Sequence, residues 1–139
     1  MGLVLASSSP RRRELLAALG VPFEVDPADI EEPLPERHPH PERVARRLAR
    51  HKAEVVAARR PEDWILAADT VVVLRGRLLG KPETAEEARA MLRSLRDRWH
   101  CVITGVAVAH GKRLRVDHAQ TWVRIRAYSD EEIEASIAR

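Results

Sequence analysis

Trp64-Ile65-Leu66-Ala67-Ala68-Asp69-Thr70-Val71-Val72-Val73-Leu74 is an apolar run rich in β-branched residues with a single carboxylate at its centre. Its length and composition predict a buried strand. An ionised Asp inside such a strand is costly unless a cation or several donors meet it. Two readings of Asp69 are open from this segment alone. Either the strand ends at a turn around Asp69-Thr70, or the carboxylate belongs to a site that supplies its partner.

Working outward, the 139 residues are 45% hydrophobic and 32% charged, enough for one globular domain with a real core. The apolar segments that approach membrane-span length carry Asp, Arg or His, and Met1-Gly2-Leu3-Val4-Leu5 leads straight into Ser and Arg without a signal-peptide layout. The expectation is a soluble, cytoplasmic protein that does not enter a membrane. Cys101 stands alone, which excludes a disulfide framework and a thiolate cluster. The six His are scattered and read as loop residues. Arg43, Arg46, Arg47, Arg50, Arg59 and Arg60 gather in one helical stretch. Glu42 and Glu54 interrupt them and no aromatic lies among them, so nucleic-acid binding has little support. All but three of the 24 basic residues are Arg. The exceptions, Lys52, Lys81 and Lys112, raise the question of what a compact ammonium does there that a guanidinium cannot, such as binding phosphate as a point charge.

Toward the N-terminus, Leu3-Val4-Leu5-Ala6 predicts a strand, Ser9 a helix N-cap and Pro10 the first helical residue. The helix runs to about Leu19, with Leu15, Leu16 and Leu19 as its buried stripe and Gly20 as its stop. Arg11, Arg12 and Arg13 occupy its first turn, where cations oppose the helix dipole. They make sense if an anion binds among the Ser hydroxyls and free backbone N–H groups; the other reading is a basic turn facing water. Pro22–Val25 predicts a second strand. The Pro- and acid-rich loop after it, with Asp29, Glu31 and Glu32, reads by itself as solvated surface, the alternative being a carboxylate brought to a divalent cation. A helix over 41–58 carries Val44, Leu48 and Val55 on one stripe, and Lys52 on the same face. Lys52 either snorkels to water, the commoner outcome, or projects toward a buried charge.

Beyond Asp69, Arg75-Gly76-Arg77 signals a hairpin, and Lys81 sits between Gly80 and Pro82 as a presented charge. No Walker loop is present. Thr84 and Ser129 open capping boxes, the first helix placing Ala88, Met91, Leu92 and Leu95 inward. Trp99–Ala109 and Leu114–Ile125 predict a strand pair around His110-Gly111-Lys112. Arg11, Arg12, Lys52 and Lys81, with Asp69 and Glu31 or Glu32, thus fall at strand ends, helix starts or constrained loops. That is a polyphosphate site in outline, and with no Ser or Cys nucleophile paired to a His, direct attack by water is the economical chemistry.

Leu5-Ala6-Ser7-Ser8-Ser9-Pro10-Arg11-Arg12, Ala68-Asp69-Thr70, Gly80-Lys81-Pro82 and His100-Cys101-Val102-Ile103-Thr104-Gly105, in this order and at these intervals, resemble the Maf family of nucleoside triphosphate pyrophosphatases. The resemblance spans the whole chain. It implies a single Maf-like domain over 1–139, an α/β fold with a twisted mixed sheet flanked by helices and an inosine-triphosphatase-like architecture. The implied reaction takes dTTP, UTP and modified pyrimidine triphosphates to the monophosphate and pyrophosphate. Asp69 would be the catalytic carboxylate, Ser7, Ser9, Arg12, Lys52 and Lys81 would hold phosphates, Glu32 and Asp69 would carry Mg2+ or Mn2+, and Arg11 and Thr70 would go with pyrimidine preference. A homodimer is implied as well. Similar proteins continue past the Ser129 helix into a Lys-Ala-Gly-x-Tyr-x-Ile-Gln-Gly segment, so the chain is expected to be truncated at its C-terminus. The alternative function is a nucleotide-binding regulator of cell division without turnover.

Overall fold

The computed structural model describes residues 2–30 and 32–138; Glu31, one of the two residues considered for the acidic position, lies outside them. In chain order the elements are β1 (Leu3–Leu5), α1 (Pro10–Ala18), β2 (Glu24–Val25), α2 (Pro41–Arg59), β3 (Trp64–Leu74), β4 (Arg77–Leu79), α3 (Ala85–Leu95), β5 (Trp99–His110), β6 (Arg113–Arg124) and α4 (Asp130–Ile137). Among the described residues, six strands make one sheet in the order β2-β1-β3-β5-β6, with β4 attached to β3. β1 runs parallel to β2 and β3, and the other pairings are antiparallel, so the sheet is mixed. The expected α/β architecture is present.

β3 does not stop at Asp69. It continues to Leu74, and Arg75 (φ 51°) with Gly76 (φ 80°) forms the two-residue turn into β4, both left-handed as a hairpin of that length requires. One edge of β3 pairs with β5 from Trp64 through Val73. The other pairs with β1 only at Trp64–Leu66 and with β4 only at Val72–Leu74. Between these two partners, residues 67–71 present a strand edge that no strand among the described residues covers. Asp69 lies in the middle of that gap, so its carboxylate is half-buried at an opening rather than sealed inside a strand.

The face of the sheet formed by Ile65, Ala67 and Val71 of β3 and Cys101, Ile103, Ala107 and Ala109 of β5 is buried. α2 covers it, contributing Val44, Ala45, Leu48, Ala49, Ala53 and Val56. Three of these are Ala, which lets the helix lie close to the strands. At Gly105 it touches them: an added Cβ there would fall 2.2 Å from the Ala45 carbonyl oxygen. Gly105 pairs directly with Asp69 across β5 and β3. The packing that brings α2 down thus also sets its height above the catalytic candidate.

Some expectations fail at the periphery. In α1 only Leu16 is buried, whereas Leu15 is 63% and Leu19 74% exposed. The helix meets the rest of the molecule through one narrow line of contact, so three Leu at helical spacing overstate its apolar face. β2 shrinks to two residues, since Pro22 supplies no N–H and, among the described residues, the strand has a partner only on its β1 side. Ala88, Met91 and Leu92 of α3 are half-buried, with Leu95 alone fully covered. The His are not confined to loops. His51 is on α2, His100 and His110 on β5, and His118 on β6.

His100 is buried, and its Nδ1 meets no hydrogen-bond partner among the described residues. Burial holds the imidazole below its ordinary value of 6.5. As pH falls through that value the unfolded chain takes up a proton that the folded His100 refuses, so the stability it contributes is present above about pH 6.5 and lost on acidification. Melting temperatures of the parent and His100→Phe between pH 7.5 and 5 check this. The parent should lose more stability over that interval, and parallel curves would contradict the assignment. The depressed carboxyls of Asp26, Asp63, Glu132 and Glu134 act at lower pH and leave this window clear.

Candidate functional site

The open stretch of β3 forms the floor of a cleft of about 1060 Å³. Ser7, Ser8 and Ser9 line it from the turn after β1, and Arg11, Arg12 and Leu15 from the start of α1. Lys52 reaches it from α2, Asp69 and Thr70 from β3, and Gly80-Lys81 from the segment after β4. The turn at Ser7–Ser9 is ordered by its own hydroxyls. The Ser7 Oγ accepts from the Ser9 N–H at 3.1 Å, and the Ser9 Oγ caps α1 by accepting from the Arg12 N–H at 3.4 Å.

Asp69 has found its cation. Lys52 Nζ lies 3.0 Å from Asp69 Oδ2, with the two side chains 27% and 23% exposed. The Lys52 side chain therefore projects into the site rather than snorkelling away. Oδ1 of Asp69 accepts from the Thr70 N–H at 3.0 Å, one of the backbone groups that the open edge leaves without a strand partner. Arg12 serves the same edge from outside. Its Nη1 donates to the Ala68 carbonyl at 3.2 Å and its Nη2 to the Thr70 hydroxyl at 2.8 Å. The Thr70 and Thr104 hydroxyls are 2.9 Å apart across β3 and β5.

Of the sequence-predicted residues, Ser7, Ser9, Arg11, Arg12, Lys52, Asp69, Thr70 and Lys81 all line one cleft. Glu32 does not. It faces α2, meeting His51 Nδ1 and lying 3.8 Å from Arg47. Asp26 is gripped in the same way at the other end of the loop, by Arg59 at 2.7 Å and Arg60 at 2.8 Å, whose hydrogen bonds hold its carboxyl below the usual range. The acidic loop is thus docked onto α2 rather than solvated along its length. Between its two anchors Asp29 (φ 52°) lines the cleft. Among the described residues, Asp69 and Asp29 are the carboxylates in the lining. Among the described residues no group of three or more His, Cys, Asp and Glu is placed to hold a metal. Such a donor set suits a hard cation that arrives on phosphate oxygens and borrows one or two carboxylates, as Mg2+ commonly does.

Sequence reasoning missed Thr104 as a member of the site, although it lies within a motif quoted for the resemblance. Only the pairing of Thr70 with Thr104 across β3 and β5 reveals it. Asp29 was weighed only as part of an acidic run. Its left-handed backbone, tolerated by Asp, gives no sequence signal as distinct as Gly would.

The family described as "Maf-like protein" matches residues 2–139. This chain belongs to the Maf-like protein family. Among its relatives, the dTTP/UTP pyrophosphatase of Thermomicrobium roseum is 76% identical over 139 residues, covering all of this chain and 64% of the relative. That of Myxococcus xanthus is 53% identical over 131 residues, 94% of this chain and 66% of the relative, and that of Thermotoga maritima 46% over 136 residues, 96% and 65%. The Maf-like chain thus spans less than two thirds of the length of these relatives. In structure it resembles a dITP/XTP pyrophosphatase from Mycobacterium abscessus, with a TM-score of 0.56 and 16% identity over 88% of this chain and 73% of the other. The Staphylococcus aureus Ham1 protein gives a TM-score of 0.60 and 15% identity over 89% and 71%. These two likenesses concern the fold alone. Among the described residues of this Maf-like chain, no helix is long and apolar enough to cross a membrane.

Proposed function

We infer that this chain carries the catalytic site of a nucleoside triphosphate pyrophosphatase acting on dTTP, UTP and modified pyrimidine triphosphates. The observation that carries the reading is the Lys52–Asp69 pair, set 3.0 Å apart on an uncovered strand edge in a cleft lined by Arg11, Arg12 and Lys81. The names of the relatives support the substrate class.

In this reading the triphosphate lies between the Ser7–Ser9 turn and Lys81. Backbone N–H groups at the start of α1, the Ser hydroxyls and the cations neutralise it. Asp69 takes a proton from a water held against the α phosphorus, the water oxygen bonds to that phosphorus, and the bond to the bridging oxygen breaks to release pyrophosphate, whose charge Lys81 meets. Lys52 has three N–H donors, so it can orient Asp69 and touch a phosphate oxygen together. A divalent cation, Mg2+ or Mn2+, would be held by Asp69 and the substrate's phosphates and would supply charge neutralisation at the triphosphate. Asp29 lies in the same lining, whereas Glu32 would have to leave His51 and Arg47 to contribute. Arg11 and Thr70 belong to the proposal as the residues that set pyrimidine preference. A homodimer and a cytoplasmic place of action belong to it too, the former checked by light scattering of the purified chain.

The test is pyrophosphate release from each nucleoside triphosphate with Mg2+. Release with dTTP and UTP preferred is expected. Tight nucleotide binding with no release would favour a regulator without turnover, and neither binding nor release would refute both. The two lysines should behave differently. Lys81→Ala loses a charge-assisted contact to phosphate, worth roughly 1.5–3 kcal/mol, and should raise KM about 10- to 100-fold with a smaller change in kcat. Lys52→Ala also strips Asp69 of its partner and should lower kcat as well. Steady-state kinetics on both variants distinguish the roles, and an unchanged KM for Lys81→Ala would contradict phosphate binding there.

A further inference from the structure

We propose that Thr104 is a positioning residue for Asp69, acting through Thr70 and Arg12 to pin the uncovered stretch of β3. The proposal rests on the hydrolase reading for its kinetic consequence, and on geometry alone for its structural one.

An uncovered strand edge is a weak place to mount a catalytic group. Its N–H and C=O groups lack ladder partners, and local opening is easiest where backbone bonds are missing. Here the defect is repaired with side chains. Ala68, before Asp69, has its carbonyl oxygen held by Arg12 Nη1 at 3.2 Å. Thr70, after Asp69, donates its N–H to Asp69 Oδ1 at 3.0 Å and accepts Arg12 Nη2 on its hydroxyl at 2.8 Å. One guanidinium therefore grips the strand on both sides of Asp69. That grip works only if the Thr70 hydroxyl stays in the rotamer that faces Arg12. The Thr104 hydroxyl, 2.9 Å away on the directly opposite residue of β5, is what holds it there.

Arg12 can only donate, so the Thr70 oxygen is the acceptor of that bond. It keeps a second lone pair and its own hydrogen, so either hydroxyl can donate in the Thr70–Thr104 bond, and in both directions that bond fixes the Thr70 rotamer. Arg12 spends one hydrogen of each terminal nitrogen on this grip and keeps the others for an anion, which reconciles a structural role with a phosphate one.

Thr104→Val preserves shape and strand preference and removes only the hydroxyl; Thr104→Ser restores it. Two readouts are taken on the full chain. In steady-state hydrolysis of dTTP, Thr104→Val should lower kcat about tenfold or more, since small misplacement of a reacting group is costly, while KM changes less than twofold and Thr104→Ser recovers most of the rate. A loss confined to KM would place the hydroxyl on the substrate and overturn the positioning role, as would a kcat within twofold of the parent. In amide hydrogen exchange, the Thr70 N–H should exchange at least severalfold faster in Thr104→Val than in the parent or Thr104→Ser. Equal rates in all three would overturn the pinning itself. If the parent releases no pyrophosphate from any triphosphate, the hydrolase reading fails, and the exchange measurement still decides the geometry.

Discussion

Replacing Asp69 by Asn should reduce pyrophosphate release by roughly 10²- to 10⁴-fold, the usual contribution of a positioned general base, while the protein melts within a few degrees of the parent. Asn keeps the size of the side chain and an oxygen that can accept from the Thr70 N–H, which holds the Asp carboxylate at 3.0 Å. It cannot take a proton from water. Lys52 loses its counter-charge, but its ammonium is partly exposed and can turn to solvent, so the cost in stability is at most about 1 kcal/mol. In metal-free buffer, nucleotide affinity should stay near that of the parent or tighten, because one negative charge leaves the cleft proposed to take the phosphates; with Mg2+ present the variant also lacks a carboxylate proposed to hold the ion. Calorimetric titration of dTTP into the variant, beside the pyrophosphate assay, checks both parts. Parental turnover in Asp69→Asn would remove the carboxylate from the chemistry, and a collapse in melting temperature would make it a structural residue.

The second large effect is structural. Gly105→Ala should destabilise the fold by about 3 kcal/mol, at the upper end of what overpacking usually costs, and lower the melting temperature by roughly 10 °C or more. The new Cβ would lie 2.2 Å from the Ala45 carbonyl oxygen, 2.5 Å from its carbon and 2.8 Å from the Arg46 nitrogen. All three are backbone atoms of α2, so no side chain can step aside. The helix must rise off β5, opening the contacts of Ala45 with Ile103 and its neighbours. Lys52 lies two turns further along the same helix and would move from Asp69 with it. Turnover of whatever folds should therefore fall too. A melting temperature unchanged from the parent would show that α2 does not rest on this glycine.

How much of this was legible in the chain follows from which forces act locally. Ser9 with Pro10, the capping box at Ser129 and the turn at Arg75-Gly76 depend on neighbours in sequence, and each forms where the residues place it. The strand through Asp69 and the presence of a cation beside it were readable from the cost of burying a charge. That the partner is Lys52 was open, because a Lys on an apolar helix face satisfies its head group as easily in water. The uncovered edge between β1 and β4 could not be read at all. It arises from two short strands leaving the same side of β3 at different points, and nothing within either strand encodes the gap. Thr104 was invisible for the same reason, since the pairing of β5 with β3 is set by the whole sheet. The acidic loop misled in the other direction. Taken alone, Asp26 to Glu32 is a solvated run, and its docking depends on Arg47, His51, Arg59 and Arg60, which lie well downstream.

The sharpest single measurement is a crystal structure of this chain with a dTTP analogue whose α–β bridging oxygen is replaced by a methylene group. The triphosphate should lie between the Ser7–Ser9 turn and Lys81, with the α phosphorus facing Asp69 across the open edge of β3 and Lys52 touching both. An analogue bound elsewhere on the molecule, or bound in the cleft with Asp69 turned away from the α phosphorus, would contradict the account.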